Sequence, residues 1–369
     1  APAPAGTPPQ GGVSPAAADA GPATAPPRGV DLALLYSSNL QGHAAPCDCV
    51  RPLGGLARRA TVIARARADA DATLVVDAGD LFDGSSPQAA RRLAAAVAAA
   101  GLDAFTPGER DLALGIPVLK RLAAAGVLPV ISSNLTDRSG ARLFDGERVF
   151  QVGGVPVGVF GVSAPPTPAD AARWTAAGIE ASPALPAAAA AIAALRQRGA
   201  RVVVGLFHVG GGAESRRLVA ALSGLDWAVL GHSALNLEAP EKAGQARLLE
   251  ALAEGKNLGR LDLHVVGGNL AFADATERPE LEAILADHRR QLGDYDRSLG
   301  GMDPAALQAY YQQRRAQLQA AIARESAALA RLPRAVTGSW FENRIVPLDA
   351  AIPDDPRVSG LVRRLGAHL

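Results

Sequence analysis

The stretch Thr73-Leu-Val-Val-Asp-Ala-Gly-Asp-Leu-Phe-Asp-Gly84 decides the fold class of this chain. Its first four residues are compact and mostly β-branched, and they follow an alanine- and arginine-rich helical pattern, which predicts a buried strand of an α/β sheet. The turn that follows ends at Asp80, so a carboxylate lies just past the carboxyl end of the strand, where open α/β sheets bind ligands. Many such carboxylates only cap a helix, so the significance of Asp80 depends on partners elsewhere in the chain.

Composition excludes several classes of protein. The 369 residues are enough for a substantial core, with two domains as the expectation. The net charge of +1 does not favour electrostatic binding to nucleic acid or to an anionic membrane. Aromatic residues make up only 4%, which argues against base-stacking platforms. No run reaches the ~20 apolar residues that a membrane helix needs.

The ends of the chain differ from its middle. Residues 1–29 are mainly Ala, Pro, Gly, Ser and Thr, which predicts a disordered tether. Such a tether is typical of a mature exported protein, and we expect a periplasmic or lipid-anchored location after removal of a leader. The expected divisions are the tether at 1–29, the main domain at 30–277, a helical hairpin at 278–333, and a returning strand with a terminal helix at 334–369.

Between residues 30 and 277, predicted strands alternate with predicted helices, which indicates the α/β class. Two short segments around Gly153-Gly154 favour a hairpin, and the segments 261–266 and 269–273 are expected to pair with each other. The remaining predicted strands are 31–37, 73–76, 128–132, 201–207 and 227–230.

Polar side chains with ligand chemistry recur just beyond predicted strands or turns. Because several strand ends of an α/β sheet meet at one edge, this placement predicts a single convergent site. Carboxylates and imidazoles together are the ligand set for zinc, manganese or iron. The alternative is that the histidines are packing residues and that the chain binds no metal. The residues concerned are Asn39, Gln41, Asp80, Glu109, His208 and His232.

The order of short motifs resembles the calcineurin-like metallophosphoesterases, and specifically their bacterial 5′-nucleotidase and UDP-sugar hydrolase branch. The resemblance covers residues 31 to about 275 and implies a four-layer α/β/β/α sandwich with a two-metal centre at the strand ends. In that family both metals share the aspartate that matches Asp80. The motifs are Ser-Asn-Leu-Gln-Gly (38–42), Gly-Gly-Leu-Ala-Arg-Arg (54–59), Gly-Asp (79–80), Gly-Glu-Arg-Asp (108–111), Ser-Ser-Asn-Leu (132–135), Phe-His (207–208) and Gly-His-Ser (231–233).

The chain departs from the family pattern at one of the two metal positions. That position would be built from Asn39, Gln41, Asp80 and Ala234, of which only Asp80 is a strong ligand. The other position keeps a full set, with Glu109 in place of the family's neutral amide. We therefore expect one divalent ion, zinc, manganese or iron, held by Asp80, Glu109, His208 and His232.

The catalytic machinery is altered as well. The resemblance matches Arg110 to the family's catalytic histidine, and an arginine can clamp an anionic oxygen but cannot act as an acid near neutral pH. Asp80 and Arg110 are the predicted catalytic residues. Loss of a general acid costs roughly 10²–10⁴-fold in rate. The prediction is a degenerate one-metal hydrolase with weak or altered activity on a small anionic substrate.

Cys47 and Cys49 form a second group, in the first loop of the predicted site. Three interpretations stay open: a local disulfide, thiolate ligands that replace the lost metal ligands, or a redox couple. The loop also resembles an exported branch of the family, some members of which are associated with multihaem cytochromes. A partner protein, such as an electron-transfer cytochrome, is therefore an expectation, although no Cys-x-x-Cys-His haem attachment is present.

Residues after 277 carry heptad-like spacing of leucine and tyrosine. Two such helices separated by a turn containing Pro304 predict an antiparallel hairpin, with a dimerising coiled coil as the alternative. Three functions are thus carried forward: a one-metal phosphoesterase-like hydrolase, a thiol or redox protein that uses the two cysteines, and a non-catalytic scaffold that binds a partner.

Overall fold

The computed structural model describes residues 29–267, 270–299, 305–332 and 337–366. The predicted tether lies outside these ranges, apart from Gly29. The helices are α1 (Leu56–Asp69), α2 (Pro87–Ala100), α3 (Glu109–Ala113), α4 (Ile116–Ala124), α5 (Pro168–Ala177), α6 (Ala184–Gln197), α7 (Gly212–Ala220), α8 (Glu277–Leu299), α9 (Ala305–Arg331) and α10 (Pro356–Gly366). Among the helices described, none is both long enough and apolar enough to cross a bilayer.

The strands form two six-stranded sheets and one two-stranded sheet. The first sheet has the order β13-β14-β12-β1-β2-β3, the second β10-β11-β9-β8-β6-β5, and β4 pairs with β7. The strands are β1 (Val30–Ser37), β2 (Ala72–Asp77), β3 (Ala104–Phe105), β4 (Leu135–Asp137), β5 (Glu147–Val152), β6 (Val155–Ser163), β7 (Ile179–Ala181), β8 (Val202–His208), β9 (Trp227–Leu230), β10 (Glu241–Ala243), β11 (Ala246–Leu249), β12 (Asn257–Val265), β13 (Ala273–Asp274) and β14 (Trp340–Pro347).

The two large sheets pack face to face, with helices on both outer sides. The central core takes apolar side chains from both sheets, including Trp227 and Phe341, whose rings meet edge to face at 5.0 Å. Helices α1, α2 and α10 cover the first sheet, while α6 and α7 cover the second. Strands β6, β8 and β9 are buried on both faces and are near-continuous apolar runs, whereas β12 alternates apolar residues with polar ones such as Arg260 and Asp262. The predicted four-layer sandwich is confirmed.

Helices α8 and α9 form the C-terminal antiparallel hairpin. Leu285 and Leu318 are buried in it, and His288 lies 2.9 Å from Glu325 across the two helices. Beyond the hairpin, β14 pairs antiparallel with β12, and α10 packs through Val358 against the core beside α2. The last segment of the chain thus contributes a strand to the first sheet.

Two strand predictions are wrong. Segment 261–266 does not pair with 269–273; instead β12 pairs with β1 and with β14, and β13 pairs in parallel with β14. The apolar alternation identifies a strand but not its partner, and β14 makes eight residue pairs with β12. Segment 128–132 forms only single bridges, at Val130 and Ile131. Residues 268 and 269 lie outside the described ranges.

Parallel register brings the strand ends to one edge. In the first sheet, Ser37 at the end of β1 is opposite Asp77 at the end of β2, and the Ser37 hydroxyl donates to the Asp77 carboxylate at 2.6 Å. In the second sheet, β8 runs parallel to β6 and β9 and ends at His208. The turns that follow these strands meet between the two sheets.

Candidate metal centre

Glu109 joins two histidines that come from different strands. Its Oε2 lies 2.7 Å from His208 Nε2, and its Oε1 lies 3.1 Å from His232 Nδ1. One ligand atom from each of the three residues lies within 4.8 Å of the others. The two imidazole rings meet edge to face, with their centroids 5.5 Å apart. Residues 109, 208 and 232 are far apart in sequence, so the fold itself assembles this cluster.

Asp80 lies beside the cluster. Its Oδ1 is 3.6 Å from His208 Nε2 and accepts a hydrogen bond from the Arg110 amide at 3.0 Å. The mutually close set of ligand atoms contains three of the four predicted ligands, and Asp80 is not in that set although it lies near His208. Its role as a fourth ligand stays a prediction.

His208 is positioned as a metal ligand would be. Its Nδ1 lies 2.7 Å from the Ala78 carbonyl oxygen, and since a carbonyl only accepts, Nδ1 carries the proton. With the proton held on Nδ1, Nε2 is the nitrogen that can lose its proton, and its lone pair then points toward Glu109. This arrangement is typical of zinc-binding histidines. The fold therefore orients the ring from behind.

Three glycines enclose the His208 ring. A Cβ atom at Gly79 would lie 2.5 Å from Nδ1, one at Gly108 would lie 2.6 Å from Cε1, and one at Gly231 would lie 2.6 Å from Nδ1. The Gly108 Cβ would also lie 2.3 Å from Asp80 Oδ1. No real Cβ tolerates such distances, so the site requires glycine at these turns. The donor set and this close packing fit a single divalent transition metal.

The electrostatics of the cluster favour a bound cation. Burial would lower the pKa of His208, but the hydrogen bond to Glu109 and the charges of Asp80 and Glu109 raise it to about 9. Burial would raise the pKa of Glu109, but hydrogen bonds from both histidines hold it below its ordinary value. Burial also raises the pKa of Asp80 to about 6, against the opposing charge of His208. When no metal is bound, the protonated imidazole of His208 supplies the positive charge beside Asp80 and Glu109.

The second metal position that the family resemblance implies is lined here by residues that make other contacts. Asn39 is buried, and its Oδ1 accepts a hydrogen bond from the His232 amide at 3.0 Å, so this oxygen holds the His232 turn. The Gln41 amide donates to the Asp80 carbonyl at 2.8 Å. Ala234 offers no ligand atom. Within the described residues, the metal-ligand cluster therefore lies only on the Glu109 side.

Arg110 has the geometry of an anion-binding side chain. Its Nε lies 3.5 Å from Asp80 Oδ2, while 46% of the side chain is exposed. The guanidinium is thus anchored at one edge and free at the other. An oxyanion at the cluster would meet its free donors, because arginine presents several N–H groups in one plane.

Two buried carboxylates of the site were not foreseen from the sequence. Asp111 accepts hydrogen bonds from the amides of Asp80, Phe82 and Gly108 at 2.8–2.9 Å, and so it fixes the Asp80 turn to the start of α3. Its place in the Gly108-Glu-Arg-Asp111 motif was the available signal. Glu250 accepts from the Ser233 hydroxyl at 2.8 Å, and burial raises its pKa to about 7. No motif marks Glu250.

The two cysteines form a disulfide with each other. Of the three interpretations, the local disulfide is the one that the structure contains, and joined sulfurs do not serve as thiolate ligands. Cys47 lines a cavity of about 560 Å³ between the first loop, α2 and α10. Glu109, His208 and His232 are not among the residues that line it. The disulfide is therefore a feature separate from the metal cluster.

Sequence comparisons and structure comparisons differ in outcome. No protein-family model matches the chain, and no curated protein is similar to it in sequence. Solved structures are similar. The 5′-nucleotidase precursor of Thermus thermophilus superposes with a TM-score of 0.61 at 19% identity, over 92% of this chain and 59% of that one.

Two further structures extend the likeness. The sulfate thiohydrolase SoxB of Thermus thermophilus gives a TM-score of 0.65 at 19% identity, over 94% of this chain and 62% of that one. The calcineurin-like phosphoesterase YfkN of Bacillus subtilis gives 0.61 at 16% identity, over 92% and 98%. The chain thus spans less than two thirds of the nucleotidase and of the thiohydrolase. At these identities the likeness lies in the fold. The chain has the calcineurin-like metallophosphoesterase fold, in the form found in 5′-nucleotidases.

Proposed function

We propose that the chain is a hydrolase that cleaves a phosphoester or a related anion at a single metal, with activity that is weak or altered relative to two-metal enzymes. The observation that carries this proposal is the convergence of Glu109, His208 and His232 within 4.8 Å at the strand ends of a metallophosphoesterase fold. Asp80 would complete the ligand set. A zinc, manganese or iron ion held there would supply Lewis-acid polarisation of the substrate oxygen and a lowered pKa for water.

The chain's own residues bind and orient the substrate. The exposed edge of the Arg110 guanidinium clamps anionic oxygens next to Asp80, and it stabilises negative charge that grows in the transition state. Arg110 stays protonated, so it does not deliver a proton to the leaving group. Substrates with a good leaving group, which need no such proton, are therefore expected to react fastest.

An extracytoplasmic location is also proposed. The Cys47–Cys49 disulfide supports it, because disulfides persist in oxidising compartments and are rare in the cytosol. Fractionation of cells that express the native gene would place the protein.

The hydrolase proposal is tested with bis(4-nitrophenyl) phosphate and the full chain loaded with zinc, manganese or iron in turn. We expect hydrolysis with at least one metal, and a loss on the order of 10²-fold or more in Glu109→Gln. Asp137→Asn, a change at a partly buried carboxylate at the end of β4 and outside the cluster, serves as the control and is expected to keep full activity. A fully loaded chain that hydrolyses nothing, or equal rates in Glu109→Gln and wild type, would overturn the proposal.

The role of Arg110 has its own test. Arg110→Lys keeps the charge but loses the planar donor pair, and Arg110→Ala loses both. We expect kcat/KM to fall roughly tenfold in the lysine variant and further in the alanine variant, with metal content unchanged. Equal kcat/KM in wild type and both variants would show that Arg110 does not bind the substrate anion.

A further inference from the structure

The disulfide lies in a loop that is held in place by its own backbone. The Cys47 amide donates to the Leu53 carbonyl at 2.8 Å, and Pro46 bridges to Gly54. The sulfurs are joined across a single intervening residue, Asp48. The pair therefore lies at the end of a closed loop.

The two cysteine residues differ in exposure. Cys47 is half-buried, whereas Cys49 is exposed and its neighbour Val50 is fully exposed at 103% of its reference area. Because thiol–disulfide exchange depends on which sulfur an incoming thiolate can reach, we expect attack at Cys49, the more exposed of the two residues.

The backbone also favours Cys47 as the leaving sulfur. The Leu53 amide N lies 3.3 Å from Cys47 Sγ and donates to it. A hydrogen bond to a thiolate stabilises its charge, so this amide lowers the cost of releasing electrons onto Cys47. The cavity of about 560 Å³ beside Cys47 gives the released sulfur room to move away from Cys49.

We propose that Cys47–Cys49 is a thiol–disulfide exchange site that oxidises small thiols. An incoming thiolate forms a bond to Cys49 Sγ, the Cys47–Cys49 bond breaks, and its electron pair goes to Cys47 Sγ. A second thiolate attacks the incoming sulfur and releases Cys49. In sum, two thiols become one disulfide, and the protein disulfide becomes two thiols that take up the two protons.

The test uses the full oxidised chain and reduced glutathione, with acid quenching and peptide mass spectrometry. We expect a mixed disulfide on Cys49 with Cys47 as a free thiol, followed by oxidised glutathione in a 1:1 ratio to reduced chain. A cysteine-containing unfolded peptide is run in parallel to identify whether a protein thiol reacts as well. No reaction with either thiol, or an adduct mainly on Cys47, would overturn the proposal.

A matched pair of variants tests the Leu53 amide. Leu53→Pro removes the N–H and should slow attack on Cys49 about fivefold, whereas Leu53→Ala keeps the N–H and should react at the wild-type rate. Equal rates in both variants would contradict the assigned leaving sulfur. Adding a chelator should leave all these exchange rates unchanged. The thiol–disulfide exchange proposal is therefore tested independently of the hydrolase proposal.

Discussion

Five residues at the metal centre share a left-handed backbone, although none is glycine. Their φ angles lie between 36° and 70°, a region that L side chains rarely adopt. Each such residue costs on the order of 1 kcal/mol or more, and such costs cluster where a structure must aim side chains. The residues are Asn39, Gln41, Asp80, His232 and Ala234.

Ala234 offers a direct test of this strain. It carries φ of 36° and supplies no ligand atom, so Ala234→Gly should relieve strain and raise the free energy of unfolding by about 0.5–1 kcal/mol. Urea unfolding monitored by tryptophan fluorescence measures the change. Ala125→Gly, at an ordinary φ of −78°, is the control and should give no gain. Loss of stability in Ala234→Gly would show that the backbone there is not strained.

The raised pKa of Glu250 predicts that the free energy of unfolding depends on pH. Burial raises its pKa in the folded chain from 4.5 to about 7, so the neutral form is favoured by folding. This contribution is fully present below the unfolded pKa of 4.5 and is lost as pH rises through 7, a change of about 3 kcal/mol. Glu250→Gln should therefore be more stable than wild type above pH 7, and the gain should vanish below pH 5. The comparison is made by urea unfolding at several pH values, and a gain that does not depend on pH would contradict it.

At the scale of single elements, the turns after the strands hold the site together. Gly108 has an ordinary φ of −94°, yet a Cβ there would lie 2.3 Å from Asp80 Oδ1. Gly108→Ala should therefore destabilise the chain by about 2–3 kcal/mol and reduce metal binding. Gly211→Ala, with nothing within 4 Å of the added Cβ, is the matched control and should change stability by less than about 1 kcal/mol. Calorimetric unfolding and metal titration read out both changes, and equal behaviour of the two variants would refute the packing argument.

The elements near the site were the best predicted from sequence. The strands that end at Asp77 and His208 are recognisable from sequence because each is a short apolar run that stops at a polar turn. The partner of β12 was missed, since β14 comes some eighty residues later and periodicity carries no information about pairing. Helix α1 begins at Leu56, directly after Gly54 and Gly55, both of which have positive φ.

At the scale of the whole molecule, the helical hairpin is packed separately from the metal centre. Leu318 on α9 is 3% exposed, so Leu318→Ala should lower stability by about 2–4 kcal/mol. Ile284→Ala on α8, where the side chain is 45% exposed, is the control and should have an effect below about 1 kcal/mol. Metal content should stay the same in both variants. A loss of metal in Leu318→Ala would show that the hairpin supports the site.

The candidate site was partly accessible from sequence because motif order and strand ends pointed to the same edge. The sequence predicts four ligands, Asp80, Glu109, His208 and His232, and the fold brings Glu109 and both histidines together. Asp111 and Glu250 were missed because their roles depend on burial and on hydrogen bonds across the fold. Left-handed backbone at residues other than glycine leaves no mark in a single sequence.

The most direct test of the central claim is anomalous diffraction from crystals of the full chain grown with zinc. The account predicts one zinc peak per chain, about 2.0–2.2 Å from an imidazole nitrogen of His208, one of His232 and an oxygen of Glu109. Two peaks at the strand ends, or a zinc ion bound only elsewhere, would contradict it.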